Sequence, residues 1–89
     1  MATYIISYDL VKAKEKDYAD LYSAIKKLGQ WARVVDSTWV IVSEMSSVEI
    51  RDALTIHMDA SDRIIVVQSA SVGAWKNAIC SNEWLKNNL

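Results

Sequence analysis

Tyr4-Ile5-Ile6-Ser7-Tyr8-Asp9 is the segment on which the predicted architecture of this chain depends most. Alternate side chains of a β-strand point to opposite faces of its sheet, and the alternation here predicts a first strand over residues 3–8. We expect one face to carry Tyr4, Ile6 and Tyr8, and the other to carry Ile5, Ser7 and Asp9. Asp9 ends the strand, where a carboxylate either serves metal or phosphate chemistry or fills an ordinary turn before a helix.

Two stretches carry the pattern of amphipathic helices. The first begins at Glu15 and ends at Gly29, with apolar residues at helical spacing between them and lysines in its last turn. The second begins with a capping box formed by Ser46 and Glu49 and ends near Asp59. The sequence therefore predicts one helix before and one helix after a pair of β-rich runs.

Three β-rich runs complete the predicted sheet. Residues 31–35 and 38–43 flank Asp36-Ser37, a spacing typical of a tight hairpin, and their Trp31 and Trp39 are candidates for stacking on bases or for a protein interface. Residues 63–68 form a nearly continuous apolar run, which is the pattern of a strand covered on much of both faces. A last helix is predicted after Gly73 from the spacing of Trp75, Ile79, Cys80 and Trp84.

The order of these elements predicts an α+β protein. It matches a ferredoxin-like βαββαβ sandwich, an antiparallel sheet with two helices on one face, followed by an additional C-terminal helix. The chain has 89 residues, no proline and no repeat, which predicts a single domain over residues 1–89. Because so short a chain buries only about 60–65% of its unfolded surface, we expect oligomerisation to help stabilise it.

In this topology one rim of the sheet collects polar residues from distant parts of the chain. The rim would hold Asp9, Asp36, Ser37 and Asp62. Three carboxylates at one place suit Mg²⁺ or Mn²⁺, hard ions that prefer oxygen ligands. The alternative is that Asp36 and Asp62 only stabilise local turns, which leaves Asp9 and Ser37 as the candidate site.

Basic side chains are predicted close to this rim. Lys12, Lys14 and Lys16 follow the first strand; Lys12 is a candidate for electrostatic support of nucleic-acid binding, and the alternative is that all three form a solvated face. His57 ends the second helix, and its position on an apolar helical face favours a packed side chain over a general base. No histidine and acid are arranged around Ser37, which favours a phosphate-contacting or turn-forming hydroxyl over a nucleophile.

The composition restricts the classes of function. The net charge is −1 with alternating signs along the chain, so any RNA or DNA contact must come from a local patch. Cys80 is the single cysteine, which excludes a disulfide framework within the chain and argues against a zinc site. With no signal-peptide pattern and no apolar run of membrane-spanning length, we expect a cytoplasmic protein with no membrane partner.

A strand that ends in Tyr8-Asp9, a helix that closes at Gly29 and an Arg-x-x-x-Ser hairpin from Arg33 to Ser37 form a pattern with a known counterpart. The pattern resembles the small CRISPR-associated adaptation subunit, the second of the two universal proteins of that system, and covers most of residues 3–68. The C-terminal portion is more similar to the SinR-like relatives within this Cas-two-like superfamily, which often stand alone. The VapD-type toxin ribonucleases resemble the chain more distantly.

The resemblance implies a symmetric homodimer in which two sheets meet and the two Asp9 carboxylates approach the twofold axis as metal ligands. Because such families include both nucleases and non-catalytic bridges, it leaves two hypotheses. The first is a Mg²⁺- or Mn²⁺-dependent nuclease that acts on RNA or DNA in bacterial or phage defence. Its catalytic site would use Asp9 as metal ligand and Ser37 as phosphate contact, with Lys12 and Arg33 binding the nucleic acid. The second is a non-catalytic protein-binding or scaffold module of a defence, counter-defence or toxin–antitoxin system.

Overall fold

The alternating stretch at the start of the chain forms an inner strand of a four-stranded antiparallel sheet. A computed structural model of the chain describes residues 1–12 and 18–89. Within them the elements are β1 (Ala2–Asp9), α1 (Ala19–Lys26), β2 (Gln30–Val35), β3 (Thr38–Ser43), α2 (Ser47–Thr55), β4 (Arg63–Gln68) and α3 (Asn82–Asn88). The strands lie in the order β2-β3-β1-β4, and each neighbouring pair is antiparallel. β2 and β4 are therefore the edge strands of this sheet.

The predicted alternation of β1 is confirmed by its burial. Tyr4, Ile6 and Tyr8 are buried, whereas the residues between them are partly exposed. The buried set packs on α1 and α2, whose fully buried side chains are Leu21, Ile25, Ile50 and Leu54. This face holds most of the buried apolar side chains, and burial stabilises the fold by about 25 cal/mol per Å² of apolar surface removed from water.

The second helix begins where the sequence predicts but ends earlier. The capping box is confirmed, because the Ser46 hydroxyl accepts from Glu49 N and the Glu49 carboxylate accepts from Ser46 N. These contacts lower the pKa of the Glu49 carboxyl. The predicted end near Asp59 is wrong, since α2 ends at Thr55 and single turns follow it. The predicted start of the first helix at Glu15 lies outside the described residues.

The predicted last helix is shorter than its apolar pattern indicates. α3 covers only residues 82–88 and begins after Ser81, whose hydroxyl accepts from Trp84 N. Residues 74–81 form no regular helix, and Asn77 within them has a positive φ of 55°, which interrupts helical geometry. The spacing of Trp75, Ile79 and Cys80 therefore mimics a helix that does not form.

The C-terminal segment lies over the second face of the sheet. Thr3, whose side chain is on that face, donates from its hydroxyl to the Asn88 carbonyl at 2.7 Å. Ala32 of β2 and Val40 of β3 alternate along their strands with residues of the first face, so they lie on the second face. Both are buried, as is Leu85 of α3. The sheet thus has α1 and α2 on one face and α3 on part of the other.

The prediction that residues 63–68 are covered on both faces is wrong. Ile64 and Val66 pack against the first-face core, but Ile65 is 58% exposed and Val67 is 42% exposed on the second face. A short apolar run does not distinguish a buried strand from an edge strand, because neighbours and cover are decided by tertiary structure. We call the uncovered part of the second face, formed by Ser7, Asp9, Arg63, Ile65 and Val67, the open half-face.

Candidate functional site

The polar rim predicted from the topology is present at one end of the sheet. Tyr8 N donates to the Ser37 carbonyl at 3.1 Å, which places the hairpin turn beside the end of β1. Asp9 lies directly opposite Arg63 across the β1–β4 pair. The rim therefore brings together the strand-ending aspartate, the turn with Ser37 and the entry to β4.

Asp9 is an exposed acid of this rim. Its side chain is 73% exposed and contacts Arg63, with 3.3 Å between Asp9 Oδ2 and Arg63 Nη1. An ion pair between two exposed side chains contributes about 0–1 kcal/mol to stability. Another partner can therefore easily replace Arg63 at Asp9. Together with Ser7 and Ile65, the pair lines a shallow groove of about 250 Å³ on the open half-face.

Asp62 has a structural role that its sequence position only partly indicated. Its carboxylate accepts hydrogen bonds from Val11 N at 2.8 Å, Asp59 N at 2.8 Å and the Tyr18 hydroxyl at 3.1 Å. Burial acts to raise the pKa of Asp62, but these hydrogen bonds and nearby Lys12 outweigh it and lower the pKa. Asp62 therefore fixes the backbone that leaves β1 and joins it to the turn before β4.

Lys12 and Ser37 are both exposed at this rim. The Lys12 Nζ lies 3.5 Å from Asp59 Oδ2, and its side chain is 55% exposed. Ser37 occupies the tip of the hairpin, with its carbonyl bound to Tyr8 N. The predicted phosphate contacts of these two residues stay predictions, and Lys14 and Lys16 lie outside the described residues.

No group of three or more His, Cys, Asp or Glu side chains in residues 1–12 and 18–89 is arranged to hold a metal ion. Asp9 supplies carboxylate oxygens of the kind that Mg²⁺ and Mn²⁺ prefer, but Asp62 is occupied by its three hydrogen-bond donors. The predicted metal site at Asp9 stays a prediction.

Arg33 holds the hairpin turn together. Its Nε and Nη2 donate to the Asp36 carbonyl at 3.0 and 2.7 Å. The guanidinium also lies over the rings of Tyr22 and Trp39, at 4.8 and 5.1 Å from their centroids. These contacts give Arg33 a structural role that the sequence did not reveal, and its predicted contact with nucleic acid stays a prediction.

Trp39 is a core residue. The prediction that its side chain stacks on bases or forms a protein interface is therefore wrong. It is 1% exposed, and its Nε1–H donates to the Tyr8 hydroxyl at 2.9 Å. That hydroxyl in turn donates to the Asp36 carbonyl at 3.2 Å. Burial raises the pKa of Tyr8, although the hydrogen bond from Trp39 acts in the opposite direction.

A second concave site lies between β2 and the C-terminal segment. This tail pocket has a volume of about 290 Å³, and its wall includes Trp31, Ile79, Cys80 and Trp84. Ile79 is 63% exposed and Trp31 is 41% exposed, so apolar surface remains in contact with water there. The Ile79 amide donates to the Val34 carbonyl at 2.8 Å, which anchors the segment beside β2. The abundance of tryptophan was the only sequence signal for this pocket.

Comparison with protein-family models finds no model that matches this chain. Among the residues that the structure describes, no helix has both the length and the apolar character needed to cross a membrane. The described residues form a small α+β protein with two concave surfaces, the groove on the open half-face and the tail pocket.

Proposed function

We propose that this chain is a ferredoxin-like, Cas-two-like protein that acts as a homodimer and as a non-catalytic protein-binding module. The proposed setting is a bacterial or phage defence, counter-defence or toxin–antitoxin system. The observation that carries the binding role is the tail pocket, an apolar concavity with two tryptophans in its wall. The element order and the strand order β2-β3-β1-β4 support the ferredoxin-like assignment.

The chemistry of the tail pocket favours an apolar side chain of a partner protein as its occupant. Tryptophan is enriched among residues that dominate the binding energy of protein interfaces, where it offers a large and rigid contact area. Exposed Ile79 at the pocket mouth would be removed from water when the partner binds. A net charge of −1 gives no long-range attraction to polyanions and suits a protein partner.

Replacing Ile79 by lysine is expected to weaken binding of the partner at least about 10-fold, because a charge placed within an apolar contact must be desolvated. The measurement is affinity purification of tagged protein from the host, followed by titration of the recovered partner against the purified variant. Ile79 is mostly exposed, so the Ile79→Lys variant should keep its fold, which circular dichroism checks.

Ile56→Lys is the matched control for this experiment. Ile56 is 78% exposed at the C-cap of α2 and is not part of the tail pocket wall. We expect this variant to bind the partner as the unmodified protein does. Equal binding by folded Ile79→Lys would remove the pocket from the interface.

A second candidate function is a metal-dependent nuclease, and the exposure of Asp9 is the observation in its favour. The carboxylate is 73% exposed at the end of an inner strand, with one exchangeable partner. Two copies of Asp9 near a twofold axis would supply oxygen ligands for Mg²⁺ or Mn²⁺, which would activate water and neutralise a phosphate. Ser37 and Lys12 would contact the phosphate from the rim, and Arg33 would add positive charge.

Under this second function, Asp9→Asn is expected to lower cleavage of RNA or DNA at least about 100-fold in Mg²⁺ or Mn²⁺, because the amide is a poor ligand for these ions. Asp36→Asn is the matched control, since Asp36 is exposed in the hairpin and uses its carbonyl rather than its carboxylate to hold Arg33. Gel assays of purified protein measure the rates. If Asp9→Asn cleaves as fast as the unmodified protein, Asp9 is not the metal ligand.

A further inference from the structure

We infer that two copies of this chain join along their β4 edges, so that two four-stranded sheets become one continuous eight-stranded sheet. The inference rests on the proposed homodimer and specifies its interface. β4 pairs with β1 on one side, and no strand of residues 1–12 or 18–89 lies along its other side. An uncovered strand edge presents unpaired N–H and C=O groups that favour another strand as a partner.

The hydrogen-bond pattern shows which backbone groups point outward. In an antiparallel pair, opposed residues alternate between hydrogen-bonded and non-hydrogen-bonded positions. Ser69 N donates to the Thr3 carbonyl at 2.8 Å, which makes this opposed pair a hydrogen-bonded one. By alternation, Arg63, Ile65 and Val67 direct their backbone groups toward β1. The outward set is therefore Ile64, Val66 and Gln68.

β4 lacks the features that usually protect an edge strand. Natural edges carry proline, lysine, bulges or inward-pointing charges that prevent pairing with another chain. β4 has no proline or lysine, its register with β1 is unbroken, and its single charge is Arg63 at the first position. Ile65 and Val67 also leave apolar surface exposed along the strand.

The outward set is self-complementary about a twofold axis. When the axis passes midway between Val66 and the partner's Val66, these two residues lie opposite each other. Ile64 then lies opposite the partner's Gln68. All outward-facing positions are then used, in about six main-chain hydrogen bonds across the interface. The occupant that fits this edge is a second copy of the same strand, joined in an isologous contact.

The side chains agree with the same register. Ile65 lies opposite the partner's Val67 on the open half-face, and such cross-strand pairs of β-branched residues stabilise a sheet. Arg63 lies opposite the partner's Ser69, so no like charges meet. The exposed apolar stripes of the two copies become one continuous strip.

This interface also fixes the relation between the two Asp9 side chains. Asp9 lies at one end of β1, next to β4, and the twofold axis crosses β4 near its middle. The two carboxylates consequently lie toward opposite ends of the assembly. A β4–β4 dimer therefore does not bring them together around a shared metal ion.

The test uses two double variants of exposed side chains. Ile65→Lys with Val67→Lys places lysine against lysine twice across the axis, and the dimer dissociation constant is expected to rise more than about 100-fold. Ile65→Lys with Val67→Glu places lysine against glutamate twice and should retain the dimer. Analytical ultracentrifugation at about 100 µM protein measures the mass, since dimerisation depends on concentration. Circular dichroism verifies that both variants fold.

Each outcome separates this inference from the proposed function. Suppose that the unmodified protein is a dimer, and that the folded variant with two lysines also dimerises or that both variants lose the dimer equally. The homodimer then stands, but the β4 interface is overturned. Unmodified protein that stays monomeric overturns both the interface and the homodimer, whereas the tail pocket experiment still tests partner binding. In a Cys80→Ser background, Ile65→Cys with Val67→Cys should give an oxidised dimer, and Asp9→Cys should not. The reverse crosslinking result would favour the Asp9-centred arrangement.

Discussion

Trp39→Ala is expected to lower the free energy of unfolding by about 3–5 kcal/mol, because removing a fully buried indole leaves a large cavity. Trp39 is 1% exposed and stacks on Tyr22, with 6.1 Å between ring centroids. The change also removes the donor to the Tyr8 hydroxyl, which links β1 to the hairpin turn. Since small domains are stable by about 5–15 kcal/mol, much of the population is expected to unfold near body temperature.

Urea denaturation followed by circular dichroism measures this loss, and Trp31→Ala is its matched control. Trp31 is 41% exposed, and its ring centroid is 5.5 Å from that of Trp39. Its removal is expected to cost about 1 kcal/mol or less, because a partly exposed side chain leaves no closed cavity. Equal losses in the two variants would contradict the assignment of Trp39 to the core.

Gly29→Ala is expected to cost at least about 2 kcal/mol, because an added methyl group would overlap backbone that has no room to move. A Cβ built on Gly29 collides with the Val42 carbonyl oxygen of β3. β3 lies between β2 and β1 in the sheet, so the overlap can be avoided only by a shift of the backbone. Gly29 therefore does more than stop a helix, since α1 already has its C-cap at Lys27.

Gly73→Ala provides the control for the same substitution. A Cβ at Gly73 would lie 2.9 Å from Cδ2 of Leu89, the end of a flexible side chain that can rotate away. Its effect is expected to be within about 0.5 kcal/mol, and the lower entropy of the unfolded chain acts in its favour. Thermal unfolding of the two variants provides the comparison, and a similar midpoint for both would contradict the close approach at Gly29.

The geometry of the dimer distinguishes the two candidate functions. A metal held between the two Asp9 carboxylates requires an axis that passes close to the end of β1. The β4 edge interface places the axis elsewhere and keeps the open half-faces of the two copies side by side. The β4 interface and the binding role of the tail pocket are compatible, because the pocket lies beside β2 at the opposite edge of the sheet.

Local pattern predicted much of the architecture. The alternation in β1, the capping box of α2 and the bounds of β3 and β4 are confirmed, because each depends on residues close together in sequence. The rim was also predicted, since chain direction alone brings the end of β1, the hairpin and the start of β4 to one end of the sheet. The bonds of Asp62 and Arg33 could not be predicted, because their partners depend on side-chain directions after packing.

The order and type of the main elements follow from the local sequence, because hydrophobic periodicity and capping act within a few residues. Which apolar residues are covered depends on how the whole chain packs. That packing buried Trp39, left Ile65 exposed, and folded residues 74–81 beside β2 rather than into a helix. Periodicity defines the faces of an element, but the covering of each face depends on contacts between residues that are distant in the chain.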